Sequence, residues 1–161
     1  MTYKTSLDRV AKVTTIAITI LFAAIIVAQI FLINAEVKVA PISTTLIVLS
    51  VYFGIFSFRP INYTVTEHEL IIHRPIADIK IKRSEIKSVE SLDKAKLAWS
   101  WRIFGVGGLF GYWGKFTNTK LGTMTWYSTR RNEGVLITTT YNKKIVLTPD
   151  DTQGFAEAFN A

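Results

Sequence analysis

Hydrophobic and polar positions divide the chain near residue 59. Before that point lie two long uncharged runs, and after it short segments alternate in polarity. The first run, Val13 to Ile33, has no charge across 21 residues, and Gln29 is its strongly polar side chain. At 1.5 Å per residue such a helix reaches roughly 30 Å, the thickness of a bilayer's hydrocarbon core. The second run, from about Val39 to Phe58, is also uncharged. Pro41 stands in its first turn, where a missing N–H costs little, and Arg59-Pro60 ends it. The pattern predicts two membrane-spanning helices, at about 13–33 and 39–58.

Asn34-Ala35-Glu36-Val37-Lys38 joins them. So short a connection cannot cross back over a bilayer, which predicts an antiparallel hairpin with both chain ends on one side. Lys4, Arg9 and Lys12 precede the first run and Arg59 follows the second, whereas Glu36 offsets Lys38 in the loop. The positive-inside rule therefore places both termini in the cytoplasm. A cleaved signal peptide is the rival account of the first run. Its apolar stretch is longer than an ordinary signal core, and no clean Ala-x-Ala site follows. Gln29 reads as an interhelical hydrogen-bonding group or as packing glue near the span's end. Ser50 and Gly54 form a small-xxx-small pair that would seat the first helix or another protomer.

After Pro60 the period falls to two. Ile61–Thr66, Leu70–Arg74, Ile79–Lys82, Ile86–Leu92, Thr123–Ser128, Val135–Thr140 and Lys144–Thr148 read as strands. Pro149-Asp150-Asp151-Thr152 opens a short C-terminal helix with carboxylates at its positive end and Phe155, Ala156 and Phe159 as its buried stripe. The expected fold is a two-helix transmembrane hairpin plus a mainly-β domain. That domain would be a seven-stranded antiparallel β-sandwich or open barrel with a C-terminal α-helix. Residues 1–59 form the tail and hairpin, and 60–161 the cytoplasmic domain.

Composition narrows the chemistry. There is no cysteine, which excludes disulfides, thiolate metal sites and a thiol nucleophile. The net charge is +7, and residues 59–161 carry fifteen Lys/Arg against ten Asp/Glu. With spans present, an anionic membrane surface accounts for that charge more simply than nucleic acid does. His68 and His73 lie near Glu67 and Glu69, but their spacing fits no metal-ligand set. No nucleophile elbow, phosphate-binding loop or paired carboxylates occur, so the expectation is no enzyme activity, no cofactor and no small-molecule substrate.

Four strings carry a resemblance: YTVTEHELIIHRP (Tyr63–Pro75), RSEIKSVE (Arg83–Glu90), RIFGVGGLFGYWGKF (Arg102–Phe116) and KKIVLTPDD (Lys143–Asp151). Together they resemble the bacterial pleckstrin-homology (PH) family, in its membrane-anchored branch. The resemblance implies seven strands in two near-orthogonal sheets capped by a C-terminal helix, no catalysis, and a place in the bacterial inner membrane. The turn Thr66-Glu67-His68-Glu69 departs from phosphoinositide-binding PH domains, whose first hairpin is basic; here it is acidic.

Two features are candidates for function. The first is the glycine-aromatic block, from which Trp99, Trp101, Arg102, Phe110, Tyr112, Trp113 and Lys115 are the candidate membrane or partner contacts. Interfacial preference of Trp and Tyr supports a contact loop; glycine turns with aromatics covering one end of the barrel would be packing alone. Its glycine spacing does not suit a dinucleotide loop. The second is the basic set Arg74, Lys80, Lys82, Arg83 and Lys87, with His73 beside it: an anionic-lipid site or a solvated strand face. The expected partners are the lipid bilayer and either a protein or a second copy of the chain. Two functions follow: a membrane-anchored binding module, or an envelope assembly protein acting through homo-oligomerisation.

Overall fold

A computed structural model describes residues 1–33 and 39–160. The loop Asn34–Lys38, on which the hairpin's sidedness rests, lies outside the described residues. Among the described residues ten strands form two sheets: β1 (Thr2–Lys4), β2 (Asn62–Val65), β3 (Glu69–His73) and β4 (Ile79–Lys82) in one, and six in the other. The six are β5 (Ile86–Leu92), β6 (Trp101–Gly108), β7 (Gly111–Asn118), β8 (Gly122–Ser128), β9 (Gly134–Thr139) and β10 (Lys144–Leu147). Their order is β5-β9-β10-β8-β7-β6. The helices are α1 (Arg9–Ile33), α2 (Val39–Ser57), α3 (Lys94–Leu97) and α4 (Thr152–Asn160).

All seven expected strands are present, and three more join them. The expectation of seven is corrected to ten because the sequence pattern hides β1, β6 and β7. β1 is only three residues long and precedes a helix. β6 and β7 carry so many glycines that no alternation shows. A second correction concerns direction: β10 pairs parallel with β8, so the larger sheet is mixed rather than antiparallel.

β1 draws the tail into the β unit. Thr2 pairs with Thr64, Tyr3 with Tyr63 and Lys4 with Asn62. Thr5 Oγ1 donates to the Thr148 carbonyl at 2.7 Å, and Ser6 Oγ to Asp150 Oδ1 at 2.7 Å. A fragment beginning at residue 60 would lose all of these bonds.

The larger sheet is buried on both faces at its centre, which explains the unbroken apolar run of β9. Val135 and Ile137 face the smaller sheet and α4, packing with Tyr63, Leu70, Ile72, Leu147 and Phe155. Leu136 and Val146 point the other way, into a second core with Tyr112, Phe116, Met124, Trp126, Leu97 and Ala11. Phe116 stacks on Trp126 with ring centroids 4.5 Å apart. α4 begins as expected: Asp151 Oδ1 accepts the Gly154 N–H at 2.9 Å, and Phe155 is fully buried.

α1 leaves the β unit and α2 returns to it. Arg9–Phe31 is long and apolar enough to cross a membrane, at 23 residues with mean hydropathy 2.4; the apolar stretch Pro41–Ser57 is shorter. The two helices touch: Thr19 Oγ1 and Tyr52 OH are 2.8 Å apart, and the Phe22 and Tyr52 rings 5.9 Å. Gly54 does not seat α1, because a Cβ built there meets nothing within 4 Å.

Candidate functional site: the aromatic hairpin and its helix junction

The glycine-aromatic block is a β-hairpin rather than a loop. β6 and β7 pair from Trp101↔Thr117 to Gly108↔Gly111, turning at Leu109-Phe110. One residue, Ile103, is bulged out between Arg102 and Phe104. Gly105 faces Gly114 with φ of +109° and +118°. A Cβ on Gly105 would strike the Trp113 carbonyl, and one on Gly114 the Phe104 carbonyl. Glycine is required because the two backbones approach too closely for a side chain.

The hairpin's turn is lodged against the helices. Phe110 N–H donates to Thr15 Oγ1 at 2.9 Å. The Phe110 ring packs edge-on against Tyr52 at 5.1 Å and Phe56 at 5.3 Å. Trp113 packs beside Phe58 in a tilted pair, centroids 5.2 Å apart. The Arg59 guanidinium lies over the Phe56 ring at 4.3 Å and reaches Phe110 at 6.0 Å.

The contact candidates therefore divide. Phe110 and Tyr112 are buried, at 6% and 1% exposure, and Trp113 is half-buried: these three join the hairpin to the rest of the chain. Trp99 (82% exposed), Trp101 (68%), Arg102 and Lys115 face outward. Two residues outside the candidate contacts also face outward: Phe104, one of the block's aromatics, is 71% exposed, and its neighbour Ile103 is exposed as well. The sequence carried no clear signal for their exposure, because the edge position of β6 and its bulge at Ile103 appear only in the folded sheet.

Below the hairpin a second device presents Trp99, whose backbone is left-handed at φ +57°. The segment is clamped on both sides of it. Ser100 Oγ donates to the Leu97 carbonyl at 2.7 Å, Asn118 Nδ2 donates to Ser100 Oγ at 3.0 Å, and Arg131 Nη2 donates to the Ser100 carbonyl at 2.7 Å. Trp99 and Trp101, with Lys94, Leu97, Arg131 and Asn132, border an open cleft of about 390 Å³.

The basic set does not gather into one pocket: Lys82 and Arg83 border one open cleft of about 470 Å³, and Arg83 and Lys87 another of about 230 Å³. Arg74 Nε bonds the Ala77 carbonyl at 2.9 Å and its guanidinium covers the Phe58 ring. Arg83 Nη2 bonds the Ala158 carbonyl at 2.9 Å in the last turn of α4. Lys80 pairs with Glu69 at 3.6 Å. Lys82 and Lys87 are exposed. His73 Nδ1 meets Asp78 Oδ2 at 3.0 Å. Among the described residues no three His, Cys, Asp or Glu gather as a metal site.

Three tyrosines show how tightly the junction and cores are built. Burial pushes the Tyr63 hydroxyl above the ordinary tyrosine value, against the lowering effect of its hydrogen bond with Thr148. Burial also raises Tyr112, and the Asp8 charge adds to it while Arg131 opposes. Tyr127 is raised by burial, with Arg74 opposing.

This architecture defines a class: a two-sheet β module closed by a C-terminal helix, joined through an aromatic hairpin to long apolar helices. Residues 61–161 match the family model described as bacterial PH domain, and the chain belongs to that family. No curated protein and no solved structure matches the chain.

Proposed function

We propose that the chain is a membrane-anchored PH-like binding module of the bacterial inner membrane that works by binding rather than chemistry. In this reading α1 and α2 span the bilayer as a hairpin, both termini lie in the cytoplasm, and the β unit recruits a protein partner or contacts the anionic leaflet there. The observation that carries it is the state of α1: its most apolar 18-residue window is 0% buried. Val13, Ile16, Ile20, Leu21 and Val27 are each more than half exposed. An apolar surface of that extent is stable in lipid and not in water. The junction at Phe110 then holds the β unit against the helix bases.

The test is extraction and topology. Membranes containing the full chain should retain it through alkaline carbonate washing. A protease added outside intact spheroplasts should leave residues 60–161 uncut. Release by carbonate would overturn anchoring, and external cleavage would overturn the cytoplasmic placement.

The alternative is assembly through homo-oligomerisation, and one observation favours it: β6 is an edge strand with exposed Trp101, Ile103 and Phe104. Crosslinking in native membranes separates the two, since a ladder of the chain alone supports assembly and a distinct second protein supports recruitment.

A further inference from the structure

The exposed row on β6 needs an occupant, and its position relative to the helices names one. The hairpin turn bonds Thr15, and a Cβ on Gly108 would meet Thr14; these stand three and two residues beyond Lys12, the last charge before the apolar run of α1. It also touches Tyr52, seven residues before Arg59, the first charge after α2. At 1.5 Å per residue the turn lies about 3 to 10 Å inside the apolar zone of the helices. Arg59, over both Phe56 and Phe110, marks the same level from the polar side. A hairpin whose turn is that deep brings its adjoining residues to the boundary between headgroups and acyl chains.

The residues there suit that boundary. Phe104, four positions before Gly108, lies within about 13 Å of the turn at 3.3 Å per residue. Val106 lies between them, half-buried beside its partner Trp113. Phe104 is opposite Lys115 across the hairpin, and Arg102 reaches along the strand toward Gly107, 3.7 Å from where a Cβ there would be. Trp101 and Trp99 follow further from the turn. Large apolar side chains flanked by basic ones, with tryptophan at the outer edge, are the composition of a membrane-interface belt. A second copy fits the strand less well: the bulge at Ile103 and the glycines at 105, 107 and 108 disrupt the ladder that edge pairing needs.

We propose that β6 is a third lipid-contacting element, with Phe104 and Ile103 set into the headgroup boundary of the leaflet beside α1 and α2. Arg102 and Lys115 meet anionic headgroups, and Trp101 lies at the outer edge. This fixes the tilt of the β unit and so the direction in which the Trp99 cleft is presented. The proposal rests on the reading of α1 and α2 as membrane spans.

The absence of cysteine makes the test clean, because each introduced thiol is unique. Nitroxide labels are placed on V106C, F104C and W101C in the full chain, reconstituted in vesicles of phosphatidylglycerol and phosphatidylethanolamine. I20C on α1 and Y141C in the β9–β10 turn serve as references, both at exposed positions. Collision with oxygen against a water-soluble nickel chelate reads depth. The expected order of the oxygen-to-nickel ratio is Ile20 above Val106, then Phe104, then Trp101, with Tyr141 lowest. A Phe104 label as nickel-accessible as Tyr141, with Ile20 still lipid-like, overturns the proposal and leaves anchoring intact. A nickel-accessible Ile20 overturns the anchoring reading itself. Spin–spin broadening at Phe104 that vanishes on dilution with unlabelled chain assigns the strand to a second copy and also overturns the proposal.

Discussion

Asp8 and Tyr112, 104 residues apart, share a hydrogen bond in which the phenol donates to both carboxylate oxygens at 3.1 Å. The same carboxylate accepts the Ala11 N–H at 2.7 Å, capping α1, and the Arg131 N–H at 3.2 Å. One side chain thus fixes where the first helix begins and pins that start to β7 and to the segment after β8. Tyr112 in turn packs on Trp126 in the second core. The helix and the β unit are coupled through a partly buried polar contact as well as through the aromatic junction at Phe110.

Asp8→Ala should therefore cost more than an ordinary helix cap. Loss of a cap costs about 1 kcal/mol. Leaving the Tyr112 hydroxyl without an acceptor adds about 1–3 kcal/mol. Asp8→Asn keeps an acceptor at both places and should lose less than half as much. Thermal unfolding of the full chain in detergent, followed by tryptophan fluorescence, measures both. Equal losses for the two variants would show that the carboxylate acts only through its charge.

The three raised tyrosines predict an alkaline limit. In the unfolded chain they ionise near pH 10. Burial holds the folded-state values of Tyr63, Tyr112 and Tyr127 higher, so the folded chain keeps protons that the unfolded chain has released. Their contribution to stability is complete below about pH 10 and declines as pH rises beyond it. Denaturant unfolding at a series of alkaline pH values should show that decline. Tyr63→Phe should flatten it, and an unchanged slope would place the alkaline sensitivity elsewhere.

What the sequence made legible was what periodicity encodes. Seven strands were visible because Ile79-Lys80-Ile81-Lys82 and its like alternate, and α4 was visible because Asp151 and Phe155 stand at helical spacing. β6 and β7 were not, because their registry is held by backbone approach at Gly105 and Gly114 rather than by side-chain alternation. β1 was hidden for a different reason: its partner, β2, lies some sixty residues away, and three residues carry no period. The aromatic site was half legible. Composition singled out the block, but the division into buried Phe110 and Tyr112 and exposed Trp101 and Phe104 depends on where the helices lie.

The glycine pair gives a sharp contrast. Gly105→Ala or Gly114→Ala places a Cβ into a facing carbonyl and an L-residue in the left-handed half of backbone space. At least about 2 kcal/mol should be lost at either site. Gly54→Ala on α2 meets open space, and by helix propensity should be neutral or favourable by up to about 1 kcal/mol. Denaturant midpoints of the three variants decide it. A well-tolerated Gly105→Ala would mean that the two strands can separate without consequence for the fold.

Arg83 separates a structural cation from surface charge within the basic set. Its guanidinium bonds the Ala158 carbonyl and covers the Phe159 ring at 5.3 Å, so it closes the C-terminal turn of α4, where carbonyls lack helical partners. Arg83→Ala should cost about 1–2 kcal/mol, from the lost bond and the uncovered ring. Arg83→Lys should recover only part of this, because an ammonium cannot lie flat on the ring while holding the carbonyl. Lys82→Ala and Lys87→Ala, both at exposed positions, should stay within about 0.5 kcal/mol of the parent. Amide exchange across residues 152–160 gives an independent reading: Arg83→Ala should speed exchange there, and the two lysine variants should not. If all three variants exchanged alike, the C-terminal turn would be held by Phe155 and Phe159 packing alone, and Arg83 would return to the lipid-facing candidates.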